Sequence, residues 1–192
     1  MLLFELIQIS LGVRDRLSAA LTKAEWESLY NELVKQSVVG LGFEGVQKLP
    51  KEQWPNQEII LNLIAACEQI KKQNILLNNR SAEIGAFFKK AGFRYCILKG
   101  QGNALIYPNP YSRTSGDIDI WVDGDRKRIR DFVVSIAPYA EDGDMHISFP
   151  VFTDAMVEVH YKPRYMNTPK YDKRLMAFFN EHKNEQFEHI VE

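Results

Sequence analysis

The sequence predicts an α+β protein, with a mixed β-sheet flanked by helices and preceded by an N-terminal helical region. Through residues 1–90 apolar side chains recur three and four positions apart, which is the helical period. Through residues 91–192 short apolar strands alternate with helical segments. Of the 192 residues 45% are hydrophobic and 26% charged, an ordinary globular composition. We therefore predict a helical region, 1–90, packed on an α/β core with a C-terminal helix, 91–192.

The first helix is predicted in the opening residues, MLLFELIQISLGVRDRL. This stretch has an early acidic residue and no basic segment before its apolar residues, so it is typical of an amphipathic helix rather than a signal peptide. No apolar run approaches the roughly 20 residues that a membrane-spanning helix needs. We therefore expect a cytoplasmic protein without a membrane partner.

A second helix is predicted to begin after Thr22, because Thr22 and Glu25 have the spacing of a capping box. Gly40 and Gly42 predict its end, since two closely spaced glycines weaken a helix and favour a turn. A short helix or turn is expected to follow through Val46.

A long periodic stretch follows Pro55, with apolar residues at helical spacing from Ile59 to Phe87. The pattern predicts either one long helix or two helices joined near Asn78. The first 90 residues lack the residue types and spacing of a reactive site. We interpret them as a packing scaffold or a partner surface.

Beyond Gly92 the pattern changes to alternating strands and helices. The predicted order is FRYCILKG (strand), QGNALIYP (helix), GDIDIWV (strand), DRKRIRDFVVSIA (helix), DMHISFPVF and AMVEVHYK (strands), and a last helix from about Tyr171 to Asn180. Asp125 is the predicted N-cap of the second of these helices. The polar stretch between the last strand and the last helix, which contains two prolines, is predicted to be a loop.

The acidic strand GDIDIWVD carries the main candidate site. Because side chains alternate along a strand, Asp117 and Asp119 share one face while the intervening isoleucine points to the other. Adjacent carboxylates repel each other, and an oxygen-preferring cation such as Mg²⁺ or Mn²⁺ offsets that repulsion. The alternative is a solvated acidic pair at a strand end.

A third carboxylate is predicted in the strand AMVEVHYK, where Glu158 and His160 share one face. Glu158 can join the two aspartates if its strand lies beside theirs. His160 either orients a ligand or is a structural histidine, and His146 is a weaker candidate.

The turn at Lys99 and Gly100 is a candidate phosphate site. Gly100 ends an apolar strand just before the helix predicted at Gln101, and backbone N–H groups at such a turn can bind an anion. Lys99 can supply a positive charge to a phosphate. The alternatives are a plain turn glycine and a lysine that only extends into solvent.

The overall charge and the cysteines do not favour a nucleic-acid-binding, membrane-binding or disulfide-rich protein. The formal net charge of −1 gives no global basic field for nucleic acid or membranes. We interpret the basic run from Arg126 to Arg130 as a solvated helix face, although it can also form a local basic patch. Cys67 and Cys96 lie in apolar surroundings and are predicted to be buried thiols rather than a disulfide.

Taken with these motifs, the stretch from Arg94 to Lys162 resembles the DNA polymerase β-like nucleotidyltransferase superfamily. The likeness rests on LKG at the strand-to-helix turn, GDIDIWV on the next strand and EVH later. More narrowly, LKGQGNALIYPNPYSRTSGDIDIWV resembles a poorly characterised bacterial group of nucleotidyltransferases. The chain departs from the wider superfamily at the turn, where Lys99-Gly100 replaces the usual Gly-Gly or Gly-Ser.

This resemblance implies a nucleotidyltransferase-like fold and two-metal transfer of a nucleoside monophosphate from a nucleoside triphosphate (NTP) such as ATP. It implies that Asp117, Asp119 and Glu158 hold Mg²⁺ or Mn²⁺, with Glu158 also a candidate general base. It further implies that Lys99, Gly100 and Arg113 bind the triphosphate. The acceptor, whether a protein, an RNA or a small molecule, and the oligomeric state are not predicted.

Two other functions stay open at this point. The unusual Lys99-Gly100 turn favours a catalytically inactive nucleotide-binding or regulatory module of the same fold. The long N-terminal helices favour an interaction protein in which the acidic strand is merely solvated.

Overall fold

A computed structural model describes residues 2–188 of the chain. The chain forms two compact units. The first comprises Met1–Leu76 and Asn103–Ser115, and the second comprises Leu77–Gly102 and Gly116–Glu192. The division into regions 1–90 and 91–192 stays a prediction.

The first unit is helical. Its elements are α1 (Leu2–Ser10), α2 (Lys23–Lys35), α3 (Val39–Lys48), the first part of α4 (Gln57–Lys90) and two 3₁₀ turns, Lys51–Gln53 and Pro110–Ser112. Its core consists of apolar side chains that are almost fully buried: Leu6, Ile9, Leu17, Trp26, Leu29, Leu33, Val39, Val46, Leu49, Ile59 and Leu63. These side chains lie at the helical spacing of the sequence, and α4 is one continuous helix of 34 residues without a break at Asn78.

The start of α2 confirms the predicted capping box. The Thr22 side chain accepts from the backbone N–H of Glu25, and the Glu25 carboxylate accepts from the backbone N–H of Thr22 at 2.8 Å. The predicted end near Gly40 or Gly42 is wrong, because α2 ends at Lys35 and Ser37 takes a positive φ of 57°.

Gly40 and Gly42 instead lie inside α3, where they permit close packing. A Cβ atom at Gly40 would lie 2.2 Å from the carbonyl oxygen of Ser112, and one at Gly42 would lie 2.5 Å from the side chain of Leu33. Both distances are far below van der Waals contact. The two glycines therefore mark close approach between elements rather than a turn.

The second unit contains a four-stranded mixed sheet. Its strands are β1 (Tyr95–Ile97), β2 (Ile118–Val122), β3 (His146–Ser148) and β4 (Val157–His160), in the order β1-β2-β4-β3. Strands β2 and β4 pair in parallel, and the other two pairings are antiparallel. Helices α6 (Arg126–Ile136), α7 (Pro169–Glu181), α8 (Lys183–Glu188) and the second part of α4 flank the sheet, while the short α5 spans Lys99–Ala104. The predicted α+β class, a mixed sheet flanked by helices, is confirmed.

One face of this sheet is the core of the second unit. The period-two pattern places Ile118, Ile120 and Val122 of β2 on that face with Val157 and Val159 of β4. These residues pack with side chains from the other elements: Leu77, Ile84, Phe88, Phe93, Ile129, Val133, Ile147 and Phe149. Fully burying one such side chain stabilises the fold by about 1.5–3 kcal/mol. The opposite face is thereby left to the polar side chains of the same strands.

Helix α6 begins as predicted, because the Asp125 side chain accepts from the backbone N–H of Arg128 at 3.0 Å. The basic run on this helix lies on an exposed face and is paired with acidic residues. Arg126 and Arg130 both bond Asp142. The run is therefore largely neutralised by neighbouring carboxylates.

Helix α7 begins at Pro169, two residues earlier than predicted, because a proline is well tolerated at the first helical position. Helix α8 follows it and was not predicted. Cys67 and Cys96 are free thiols as predicted, but both are half-buried rather than fully buried. Their burial raises their pKa values to about 11 and about 12. Between residues 2 and 188, no helix is both long and apolar enough to cross a membrane.

Candidate active site

The polar face of the sheet gathers the acidic residues singled out in the sequence. In the parallel pairing of β2 and β4, Asp119 lies beside Glu158 and Trp121 lies beside His160. On the other side of β4, His146 lies opposite His160. The expectation that the strand of Glu158 lies beside the strand of the aspartates is therefore confirmed.

Three carboxylates converge at one end of this face. Asp117, immediately before β2, together with Asp119 and Glu158 offers one oxygen each, and these oxygens lie within 4.8 Å of one another. Asp119 is only 1% exposed, whereas 29% of the Glu158 side chain is exposed. Carboxylate oxygens are the donors that Mg²⁺ and Mn²⁺ prefer, so the residues fit a divalent cation.

The buried carboxylate of Asp119 has two basic partners. The imidazole Nε2 of His160 donates to Asp119 Oδ1 at 2.8 Å, and the ammonium of Lys99 lies 2.7 Å from the same oxygen. Burial by itself raises the pKa of Asp119, but the hydrogen bonds from His160 and Lys99 outweigh it, and the net pKa lies below the ordinary value. Asp119 is therefore ionised at neutral pH.

The turn after β1 has an unusual backbone. Lys99 has φ 26° and Gly100 has φ 28° with ψ −108°, so α5 is kinked at Gly100 and begins at Lys99 rather than at the predicted Gln101. A side chain is disfavoured at positive φ, which explains glycine at position 100. The ion pair of Lys99 with Asp119 was not predicted, because the sequence does not show which strand lies beside β1.

Glu158 contacts both histidines of this face. Its Oε2 atom lies 3.3 Å from His146 Nδ1 and 3.5 Å from His160 Nε2. The His160 side chain is fully buried, and in the described part of the chain its Nδ1 atom has no hydrogen-bond partner. His146 is a weaker candidate than His160 by sequence, and only the pairing of β3 with β4 brings it to Glu158.

The last aspartate of the acidic strand has a different role. Asp123 forms an ion pair with Arg94 at 2.6 Å and another with Lys183 of α8. Burial raises the pKa of Asp123, but hydrogen bonds from Lys183 and Arg94 outweigh it and leave the pKa lowered. Asp123 therefore ties α8 to the sheet instead of joining the carboxylate cluster.

Aromatic side chains from the C-terminal helices cover the neighbouring part of the polar face. Trp121 packs against Phe179 of α7, with ring centroids 6.3 Å apart, and against Phe187 of α8, at 4.6 Å. A cavity of about 300 Å³ lies here, lined in part by Leu98, Trp121, Phe178, Phe179 and His182. The adjacent phenylalanines in MAFFNEH are the sequence signal for this cavity, which was not predicted.

Arg113 belongs to the first unit. Its backbone carbonyl accepts from the side-chain amide of Asn74 at 2.8 Å, and the same amide donates to the carbonyl of Tyr111 at 3.2 Å. These bonds fix the backbone of this segment within the first unit. A role for Arg113 in binding phosphate stays a prediction.

The chain was compared with protein families, curated proteins and solved structures. Residues 22–189 match the model of a family described as "Uncharacterised nucleotidyltransferase". No curated protein and no solved structure matches the chain. The matched range includes the acidic strand, the turn at Lys99 and all four strands of the sheet.

Proposed function

The chain belongs to the family of uncharacterised nucleotidyltransferases, and from this membership we propose that it transfers a nucleoside monophosphate from an NTP to an acceptor. The observation that carries the proposal is the convergence within 4.8 Å of Asp119 and Glu158, on two paired parallel strands, with Asp117 immediately before the first of them. Three carboxylates held this close repel one another, and cation binding relieves that repulsion.

In this proposal the three carboxylates hold divalent cations, Mg²⁺ or Mn²⁺. A bound divalent cation supplies charge stabilisation to the phosphoryl group and lowers the pKa of an attacking hydroxyl. Asp119 remains ionised because His160 and Lys99 bond its carboxylate. Glu158 is partly exposed and is the carboxylate that we assign to accept the proton of the acceptor hydroxyl, as a second role beside cation binding.

The reaction balances without any further reactant. The acceptor oxygen forms a bond to the α-phosphorus of the NTP while the bond from that phosphorus to the bridging oxygen breaks, and pyrophosphate leaves. We assign the Lys99-Gly100 turn to the triphosphate, because Gly100 has no side chain to block its approach. Lys99 is 46% exposed, so its ammonium can reach a bound phosphate as well as Asp119. Arg113 stays a sequence-based candidate for the same task.

The first experiment measures nucleotide binding by the purified chain. We expect a nonhydrolysable NTP to bind by isothermal titration calorimetry only when Mg²⁺ or Mn²⁺ is present. Asp117→Asn and Asp119→Asn should abolish this cation-dependent binding. Asp125→Asn is the matched control, because asparagine also caps a helix and Asp125 lies outside the cluster. Unchanged cation-dependent binding in both cluster variants would show that the assignment is wrong.

One observation favours a second function, an inert nucleotide-binding module of the same fold. The ammonium of Lys99 lies 2.7 Å from Asp119 Oδ1, where it provides the positive charge that a cation provides in an active site. Incubation with α-³²P-labelled NTP and candidate protein, RNA or small-molecule acceptors separates the two functions. Transfer of label with release of pyrophosphate supports the transferase, whereas cation-dependent binding without pyrophosphate release supports the inert module.

A further inference from the structure

A second group of possible metal ligands lies on the same face of the sheet, farther from Asp117. His146 on β3 and His160 on β4 are directly opposite each other, and Glu158 lies two residues before His160 on the same face of β4. One ligand atom from each of the three lies within 4.8 Å of the other two. We call these three residues the histidine cluster.

The distances in the histidine cluster match those of a metal site. Glu158 Oε2 lies 3.3 Å from His146 Nδ1 and 3.5 Å from His160 Nε2. Two ligands bonded at 2.0–2.1 Å to one tetrahedral ion lie about 3.3–3.4 Å apart. Two of the three ligand pairs therefore have the separation that one shared ion requires, and the ligand atoms of the third pair, His146 and His160, lie within 4.8 Å.

His160 presents its Nε2 atom to the cluster. Its ring is fully buried, and Nε2 lies 2.8 Å from Asp119 Oδ1 and 3.5 Å from Glu158 Oε2. The ring is therefore held with this nitrogen beside both carboxylates, as a metal ligand requires.

We propose that the histidine cluster binds one divalent transition-metal ion of the Zn²⁺ type. Two imidazole nitrogens and one carboxylate favour such an ion over Mg²⁺, which prefers oxygen ligands. Coordination at His160 Nε2 replaces the hydrogen bond to Asp119, which keeps its ion pair with Lys99. The side chains of His146 and Glu158 are 32% and 29% exposed, so the ion can enter from solvent and a water molecule can complete its coordination.

Glu158 belongs to both the histidine cluster and the carboxylate cluster. An ion held by the histidines withdraws this carboxylate from Asp117 and Asp119. Zn²⁺ therefore opposes Mg²⁺-dependent nucleotide binding, and this consequence rests on the proposed function. The Zn²⁺ site itself does not.

The test is calorimetric titration of the tag-free full chain with Zn²⁺, before and after replacement of His146. We expect one Zn²⁺ per chain, with His146→Asn and His146→Gln each weakening binding by at least about ten-fold, because even residues that only support a metal ligand contribute that much. His182→Asn is the matched control, since His182 also faces a glutamate, 3.1 Å from Glu185, but lies outside the cluster. Circular dichroism of the metal-free variants checks that they fold.

Two further measurements separate this site from the carboxylate cluster. Co²⁺ bound in place of Zn²⁺ should give the intense visible absorption of a four-coordinate ion, and His146→Asn should remove it. Asp117→Asn should leave Zn²⁺ binding intact, whereas His146→Asn should leave Mg²⁺-dependent nucleotide binding intact. Zn²⁺ affinity that is unchanged by both substitutions of His146, or lost equally in Asp117→Asn, overturns the proposal.

Discussion

Replacing His160 tests how the structure holds its most buried carboxylate. His160→Ala removes a 2.8 Å hydrogen bond to Asp119 between two side chains that are 0% and 1% exposed. A hydrogen bond to a charged group contributes about 1.5–3 kcal/mol, and the void left by the imidazole adds to that loss. Because Lys99 still neutralises part of the charge, we expect the free energy of unfolding to fall by about 3–5 kcal/mol.

The matched variant is His160→Gln, which keeps much of the volume and offers an amide N–H to Asp119. We expect it to lose only about 0.5–1.5 kcal/mol, in the range of one ordinary hydrogen bond. The measurement is native-state hydrogen exchange of the backbone amides in β2 and β4, because it reports the opening of the second unit alone. The amide of Ile118, which donates to the carbonyl of Met156 at 2.9 Å, is a suitable probe.

The result that refutes this reasoning is a small effect of the alanine variant. If the free energy of opening of β2 and β4 in His160→Ala stays within about 1 kcal/mol of the wild-type value, the imidazole does not stabilise the buried Asp119 carboxylate. If the alanine and glutamine variants lose the same free energy, lost volume rather than the hydrogen bond explains the change.

Three further predictions concern the same unit. Lys99→Met should destabilise the metal-free chain by only about 1–2 kcal/mol, since the half-exposed ammonium is partly screened by solvent. The same variant should enlarge the stabilisation by Mg²⁺ in thermal melts, and an unchanged response to Mg²⁺ contradicts the pairing with Asp119. Gly85→Ala should cost about 1–3 kcal/mol in urea unfolding, because its Cβ would lie 2.4 Å from the hydroxyl of Tyr95, and Tyr95→Val should relieve most of that loss. The folded-state pKa of Asp123 is lowered, so its contribution to stability is complete above the unfolded pKa of about 3.9 and is lost as the pH falls through the folded value. In an acid titration followed by circular dichroism, the stability of Asp123→Asn should therefore decline less steeply with falling pH than that of the wild type.

Features that depend on neighbouring residues could be predicted from the sequence. The capping box at Thr22 and the N-cap at Asp125 require only groups three residues away, and both are confirmed. The end of α2 could not be predicted in this way. Gly40 lies inside α3, where the lack of a side chain leaves room for Ser112, 72 positions farther along the chain, and the sequence does not show that contact.

The same distinction applies to the candidate site. The alternation of side chains along a strand is enough to predict that Asp117 shares a face with Asp119, and Glu158 with His160. Which strands lie side by side depends on the order of the sheet, and this order brings Lys99 to Asp119 and His146 to Glu158. The sequence therefore predicted the carboxylates, and it singled out Lys99 and His160, but not that both would bond Asp119.

The parallel pairing of β2 and β4 has a consequence for how the protein acquires its ligand groups. Asp119 and Glu158 are brought together by a connection that runs through α6 and β3, and such long-range pairings form slowly. An unfolded or partly translated chain presents only scattered carboxylates, so a cation that needs the cluster binds the folded unit almost exclusively. Under the proposed function, cation binding then lowers how often this unit opens, and with it the exposure of the chain to proteolysis.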